Sequence, residues 1–238
     1  MLANQLRRWG GWAALANGII GALPLPFTVL FFAFEAPQAV KDVAQGITGF
    51  YPFGFLSDAL PILVALAAVV VVGVLYRLER TGAPQLSAVA ALLGLAGNLG
   101  MAVGGILIVF HKITVMEQVQ LLVISLGPLG LWQILVNYRA RRDGLLPSRL
   151  TGFGILSGVG QVAAFVVFFL FGGLSAAASS NAASILSNYP LLISLVIGTV
   201  GGFLGYNIGA PVWAIWLGRV LMSPKAGVAE RKSSYNMA

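Results

Sequence analysis

The sequence contains no cysteine, one histidine and few charged residues, which make up only 9% of the chain. Without cysteine, the chain cannot form disulfides, thiolate nucleophiles, iron–sulfur clusters or cysteine zinc sites. The one histidine, His111, cannot by itself build a bis-histidine haem site or a histidine metal cluster. Because an ordinary soluble domain carries roughly 25% charged residues, the shortage of charge also argues against a soluble protein.

Apolar residues are abundant instead and make up 58% of the 238 residues. A soluble domain of this length has too little interior to bury so many apolar side chains. The composition therefore excludes a soluble enzyme, a nucleic-acid-binding module and a disordered chain. It predicts an all-α fold, a polytopic bundle of membrane-spanning helices that forms a single integral membrane domain.

Six segments are apolar enough to cross a bilayer, which takes about 20 mostly apolar residues. We expect the spans at residues 11–34, 58–76, 87–110, 118–138, 151–173 and 190–218. The uncharged stretch from Leu150 to Gly218 is too long for one helix, so we expect two spans joined by a turn at Ser175–Asn181. Pro24 and Pro26 are predicted to kink the first span. That span is longer than the apolar core of a signal peptide, so we expect a retained helix.

Basic residues favour one side of the membrane. With six spans, twelve of the 14 basic residues fall on the side that holds both ends of the chain, and Lys41 and Lys112 fall on the other. Because basic loops stay in the cytoplasm, both termini are predicted to be cytoplasmic in the cell membrane, with 219–238 as a basic tail. The helices then form three hairpins of the same direction. A weak repeat between 76–84 and 138–147 fits duplicated hairpins, but any span that ends at the cytosol can look this way.

The net charge of +7 indicates anionic lipid headgroups as partners and argues against nucleic acid, because the charge lies beside membrane spans. Six arginines near span ends are expected to contact these headgroups: Arg77, Arg80, Arg139, Arg141, Arg142 and Arg149.

Neutral polar residues are predicted to form a layer inside the bundle. Its members lie at similar depth on four different spans: Asn17, Asn98, Gln161 and Asn207. An amide in hydrocarbon needs a partner, so each should face protein or water, either to join helices or to line a polar ligand site. Gln133 and Asn137 lie nearer a span end, where we expect them to satisfy the membrane interface.

Glycines recur at four-residue spacing in the last two spans. They are Gly154 and Gly158 in the fifth span, and Gly201, Gly205 and Gly209 in the sixth. Such rows let two helix backbones approach closely, so we expect these positions to face another helix and not lipid. The pattern indicates packing and says nothing of activity.

Catalytic constellations are missing from the spans. Paired carboxylates, a nucleophile with its base and a phosphate-binding loop are all absent, so we predict no catalytic, cofactor or metal site. Asp58 and Glu117 fall at span ends. His111, at the outer end of the third span, is either a solvated interfacial residue or a pigment or metal ligand. The aromatic segment 35–57 is either an interfacial stretch or a cap that gates a substrate.

Three stretches resemble a group of bacterial six-helix membrane proteins of unknown function. They are Leu75–Arg80 (LYRLER), Gly144–Gly152 (GLLPSRLTG) and Trp213–Arg219 (WAIWLGR). The resemblance covers about a tenth of the chain and implies the architecture alone. We expect a non-enzymatic accessory or scaffold component that packs with lipids and other membrane protein subunits. The alternative is a transporter or channel for a small neutral solute.

Overall fold

The computed structural model of the chain describes residues 2–45, 49–80, 82–170 and 200–223. Every regular element in these ranges is a helix, and six helical stretches are long and apolar enough to cross a membrane. The predicted all-helical fold with six membrane-spanning helices is therefore confirmed at this level. Large apolar side chains such as Leu66, Leu92 and Leu156 point outward, as expected for helices that face lipid.

The helix bounds follow the predicted spans in order. The first candidate span combines α1 (Leu2–Gly21), α2 (Pro24–Leu30), the π-helix π1 (Phe31–Glu35) and α3 (Ala36–Ala44). The next four are α4 (Pro52–Glu79), α5 (Pro84–Val109), α6 (Val115–Arg142) and α7 (Ser148–Leu170). The last described stretch begins at residue 200 and contains a second π-helix, π2 (Phe203–Gly209), and α8 (Ala210–Met222).

Two regions differ from the sequence-based expectation. Most of segment 35–57 is helical, because α3 continues the first span and α4 already begins at Pro52. Helix α8 runs through Met222, so Arg219 belongs to a helix and not to a tail. The predicted turn Ser175–Asn181, the first part of the sixth span and residues 224–238 of the predicted tail lie outside the described residues.

Prolines account for the irregular turns. Helix α1 ends at Gly21 and α2 begins at Pro24, where a missing N–H is harmless because first-turn donors have no helical partner. Both π-helices are followed by an Ala-Pro pair, Ala36-Pro37 and Ala210-Pro211. In each pair the alanine N–H donates to the carbonyl five residues back, so a wide turn directly precedes the proline.

The helices pack in chain order and close into a ring. Helix α1 packs on α4, α4 on α5, α5 on α6 and α6 on α7; π2 packs on α7, and α8 packs on α1. The buried centre includes Trp132 of α6 and Trp213 of α8, whose rings meet edge to face at 5.8 Å. The ring order gives each helix one face that looks toward the middle of the bundle, where the polar residues meet.

Glycines mark the tightest contacts in the ring. A Cβ atom added at Gly205 would lie 2.6 Å from the carbonyl oxygen of Ser157 in α7. The other four predicted packing glycines also lie against a neighbouring helix: Gly154 and Gly158 against α6, and Gly201 and Gly209 against α7. Gly218 of α8 and Gly11 of α1 form a similar contact, at 2.7 Å from the added Cβ to the Gly11 carbonyl, that the sequence analysis missed.

Candidate functional site

A small cavity lies in the middle of the helix ring. Its volume is about 50 Å³. Every spanning stretch of the described chain contributes to its lining, and the polar side chains come from five of them: Asn17, Asn98, Gln133, Gln161 and Tyr206. The rest of the wall is apolar, with Ala68, Met101 and Leu129 among its residues. We call this space the central cavity.

A hydrogen-bonded network joins α6, α7 and π2 beside the central cavity. Gln161 Nε2 donates to Gln133 Oε1 at 2.7 Å. Ser157 Oγ donates to the carbonyl oxygen of Gly205 at 2.7 Å. All three side chains are buried in the bundle, where water is excluded. The hydrogen bonds between helices supply the partners that water would otherwise provide. The network fixes Gln133 with its oxygen toward α7.

That orientation leaves the other end of the Gln133 amide without a partner. Its Nε2 has no hydrogen-bond acceptor among the described residues, although the side chain is only 2% exposed. A buried donor left unsatisfied costs about 1–3 kcal/mol. Gln133 also lines the central cavity.

Two asparagines in the cavity wall satisfy backbone carbonyls. Asn17 Nδ2 donates to the carbonyl of Val64 at 2.8 Å, which ties α1 to α4. Asn98 Nδ2 donates to the carbonyl of Gly94 in its own helix at 2.7 Å. Both side chains therefore present an amide to the cavity while one donor is engaged elsewhere.

The structure brings together three members of the predicted polar layer and leaves one apart. Asn17, Asn98 and Gln161 line the central cavity, whereas Asn207 does not and is partly exposed. Its neighbour Tyr206 lines the cavity instead. The estimated depth in the membrane predicted the right helical turn, but Asn207 lies on the wrong face of it, because adjacent helical residues point about 100° apart.

Gln133 and Asn137 correct the interfacial expectation. Both are buried, at 2% and 0% exposure, and Asn137 Oδ1 accepts a hydrogen bond from Trp213 Nε1 at 2.9 Å. Their i, i+4 spacing places them on one helix face, the face that also carries Trp132 and packs inward. That spacing is the sequence signal that could have placed them in the bundle interior.

The arginines predicted to contact lipid lie where α4 and α6 end and α7 begins. Five of them are exposed: Arg77, Arg80, Arg141, Arg142 and Arg149. Arg7 of α1 and Val220 of α8 line a cavity there together with residues of α4 and α6, so these helix ends meet. We call this end of the bundle, with its five exposed arginines, the basic end.

Arg139 corrects the expectation for the sixth arginine. It is 6% exposed, and its Nη2 donates to Asp143 Oδ2 at 2.8 Å. Glu79 of α4 is buried close by, with Oε1 lacking a hydrogen-bond partner among the described residues. The helix face that carries Arg139 packs toward α4 and the turn at Gly82, so this side chain lies among Glu79, Gly82 and Asp143 and is not exposed like the other five arginines.

His111 and the aromatic segment lie at the opposite helix ends. His111 is exposed and takes a φ of 52° in the turn that ends α5. Glu35 Oε2 accepts hydrogen bonds from the backbone N–H groups of Phe53 and Gly54, which caps the start of α4. A hydrogen bond to Asp42 at 2.7 Å raises the pKa of the half-buried Tyr51 to about 12, so its phenol stays protonated. These contacts tie π1 and α3 to the start of α4.

No group of three or more metal-ligating side chains occurs in the part of the chain that the structure describes. No family model, curated protein or solved structure matches the chain. The function therefore has to be argued from the central cavity, the basic end and the helix contacts themselves.

Proposed function

We propose that this chain is a non-enzymatic integral membrane protein that acts as an accessory or scaffold component, packing with lipids and other membrane proteins. We place it in a bacterial cell membrane, with both termini in the cytoplasm. The observation that carries the proposal is the basic end, where five exposed arginines flank an apolar helical bundle. Such a surface suits anionic lipid headgroups, each nearby basic residue contributing about 1 kcal/mol.

Tryptophans beside further arginines support an interfacial role for the same surface. Helix α1 exposes Trp9 and Trp12 next to Arg8 in one shallow groove, with Trp9 72% exposed. Helix α8 places Trp216 next to Arg219 in another groove. Indole rings favour the headgroup level of a bilayer, and arginine binds phosphate there. Both grooves are suited to lipid headgroups or to the flank of another membrane protein.

The interior contacts support packing as the main work of the helices. The network of Gln133, Ser157 and Gln161 is neutral, and the glycine contacts draw backbones together within the chain. Hydrogen bonds between neutral side chains, like these, hold helices together in a membrane.

Native mass spectrometry after gentle extraction from the membrane tests the proposal. We expect retained anionic lipid and a membrane protein partner at fixed stoichiometry. A chain that comes out alone, with lipid in the proportions of the bulk membrane, contradicts the accessory role. Replacing the five exposed arginines of the basic end with glutamine should reduce the retained anionic lipid. A variant with Lys41→Gln and Lys112→Gln is the matched control, because those two residues lie away from the basic end.

A second candidate function is passage of a small neutral solute through the bundle. The specific observation in its favour is the central cavity, whose wall combines amide residues from four helices with Tyr206. Uptake of a defined solute by proteoliposomes tests this function. We expect the Asn98→Leu variant to abolish such uptake, because it replaces a cavity amide with an apolar side chain of similar size.

A further inference from the structure

The size of the central cavity limits what it can hold. One water molecule needs a cavity volume of at least ~10–15 Å³. The central cavity, at about 50 Å³, therefore has room for about four waters or one solute of about four non-hydrogen atoms. Ligand pockets for drug-sized molecules are roughly 300–1,000 Å³. An occupant must therefore be very small.

The wall chemistry limits the occupant further. No charged side chain contributes to the lining among the residues that the structure describes. A charged ligand would lose its hydration without gaining a counter-charge, so the occupant is neutral. Gln133 is part of the wall, and its buried Nε2 has no acceptor among the described residues. An occupant whose oxygen or nitrogen reached this atom would satisfy it.

The apolar part of the wall calls for an apolar part of the ligand. Ala68, Met101 and Leu129 give it no hydrogen bond. A molecule with one polar end and one methyl-sized end would match both parts of the wall. Water matches only the polar part.

We propose that the central cavity is a binding site for one small neutral solute of the amide or alcohol class, whose oxygen accepts a hydrogen bond from Gln133 Nε2. Asn17 and Asn98 border the same space and would contact the solute's other polar atoms. This site goes beyond the packing role and holds whether or not the solute crosses the membrane.

Acetamide and acetate make a matched pair of probes. Both have four non-hydrogen atoms and one methyl group, but only acetate is charged. Saturation-transfer difference NMR on the full chain in lipid nanodiscs measures binding of each. We expect saturable binding of acetamide and none of acetate.

Three variants connect binding to the cavity. Gln133→Leu removes the donor, and Ala68→Leu fills the cavity while leaving every hydrogen-bonding side chain in place. Gln133→Leu should weaken acetamide binding about tenfold or more, the effect of one lost hydrogen bond left uncompensated. Ala68→Leu should weaken it at least as much, because the larger side chain takes the space of the solute. Gln120→Leu is the control, since it makes the same change at an exposed position of the same helix and should bind like the parent chain.

Each outcome of these binding measurements either overturns or supports the proposal. The proposal is overturned if folded parent protein, checked by its unfolding temperature, shows no saturable acetamide binding, because the cavity then holds water alone. Equal binding of acetate also overturns it, as does unchanged binding in a folded Ala68→Leu variant. Loss of acetamide binding in Gln133→Leu and in Ala68→Leu, with Gln120→Leu unaffected, supports it.

Discussion

Gln161 of α7 donates its Nε2 hydrogen to Oε1 of Gln133 in α6 at 2.7 Å, and neither side chain is more than 2% exposed. The bond joins two helices that are neighbours in the ring and borders the central cavity. In hydrocarbon, two amides that meet in this way satisfy each other where no water is present. The pair is therefore the natural place to measure what the polar interior contributes.

A double-mutant cycle on this pair should show favourable coupling. Hydrogen bonds between membrane helices contribute about 0.6 kcal/mol on average and up to about 1.7 kcal/mol. We expect coupling in this range between Gln133→Leu and Gln161→Leu, measured from unfolding in mixed micelles. Additive effects of the two substitutions would show that the bond adds nothing to stability.

Substitution of Gly205 should lower stability because backbone atoms surround it. A Cβ added there lies 2.6 Å from the Ser157 carbonyl oxygen and 3.0 Å from the backbone nitrogen of Gln161. Gly205→Ala should therefore force π2 and α7 apart and cost about 1–3 kcal/mol, as overpacking does. The measurement is the unfolding temperature in detergent.

Gly73→Ala is the matched control for that prediction. Gly73 lies in α4, and an added Cβ there meets nothing within 4 Å. Alanine should leave stability unchanged or raise it slightly, because glycine is a weaker helix former. If both variants unfold at the same temperature, the close approach of π2 to α7 is wrong.

His111 should be replaceable by glycine with a gain in stability. Its φ of 52° lies in the left-handed region, which costs a residue with a Cβ about 1–2 kcal/mol. Glycine has more freedom to lose on folding, so we expect a net gain of about 0.5–1 kcal/mol for His111→Gly. His111→Ala keeps the Cβ and should show no such gain. Equal stability of the two variants would argue against a backbone role for this position.

Single cysteines should report which side of the membrane the basic end faces. The chain contains no cysteine of its own, so Lys41→Cys and Arg141→Cys each introduce one unique label site. Both positions are exposed. In whole cells, an impermeant maleimide should label position 41 and not position 141, which becomes reactive after lysis. Labelling of position 141 before lysis would reverse the proposed orientation.

The fold was predictable because hydropathy alone requires it. Six apolar segments need six helices, and the two prolines at 24 and 26 mark where the first segment breaks. The π-helices were not predictable, since hydropathy does not show which carbonyl a helical N–H reaches. Residues 35–44 became helix because α3 continues from π1, although their charges suggested a connection.

The candidate site was predictable in depth but not in direction. Asn17, Asn98 and Gln161 line the central cavity, but so do Gln133 and Tyr206, which sequence reasoning placed elsewhere or passed over. Which face of a helix turns inward depends on the helices that pack beside it, and the residue pattern of one sequence does not reveal that packing order. Arg139 shows the same limit, because its burial depends on packing against α4.

The amount of anionic lipid that the purified protein retains shows whether the basic end binds lipid headgroups. The parent chain, a variant with glutamine at Arg77, Arg80, Arg141, Arg142 and Arg149, and the Lys41→Gln, Lys112→Gln control are extracted from the same lipid mixture and compared by native mass spectrometry. We expect the five-arginine variant to lose phosphatidylglycerol while its phosphatidylethanolamine stays constant, and the control to match the parent chain. Equal phosphatidylglycerol on all three proteins would contradict this expectation.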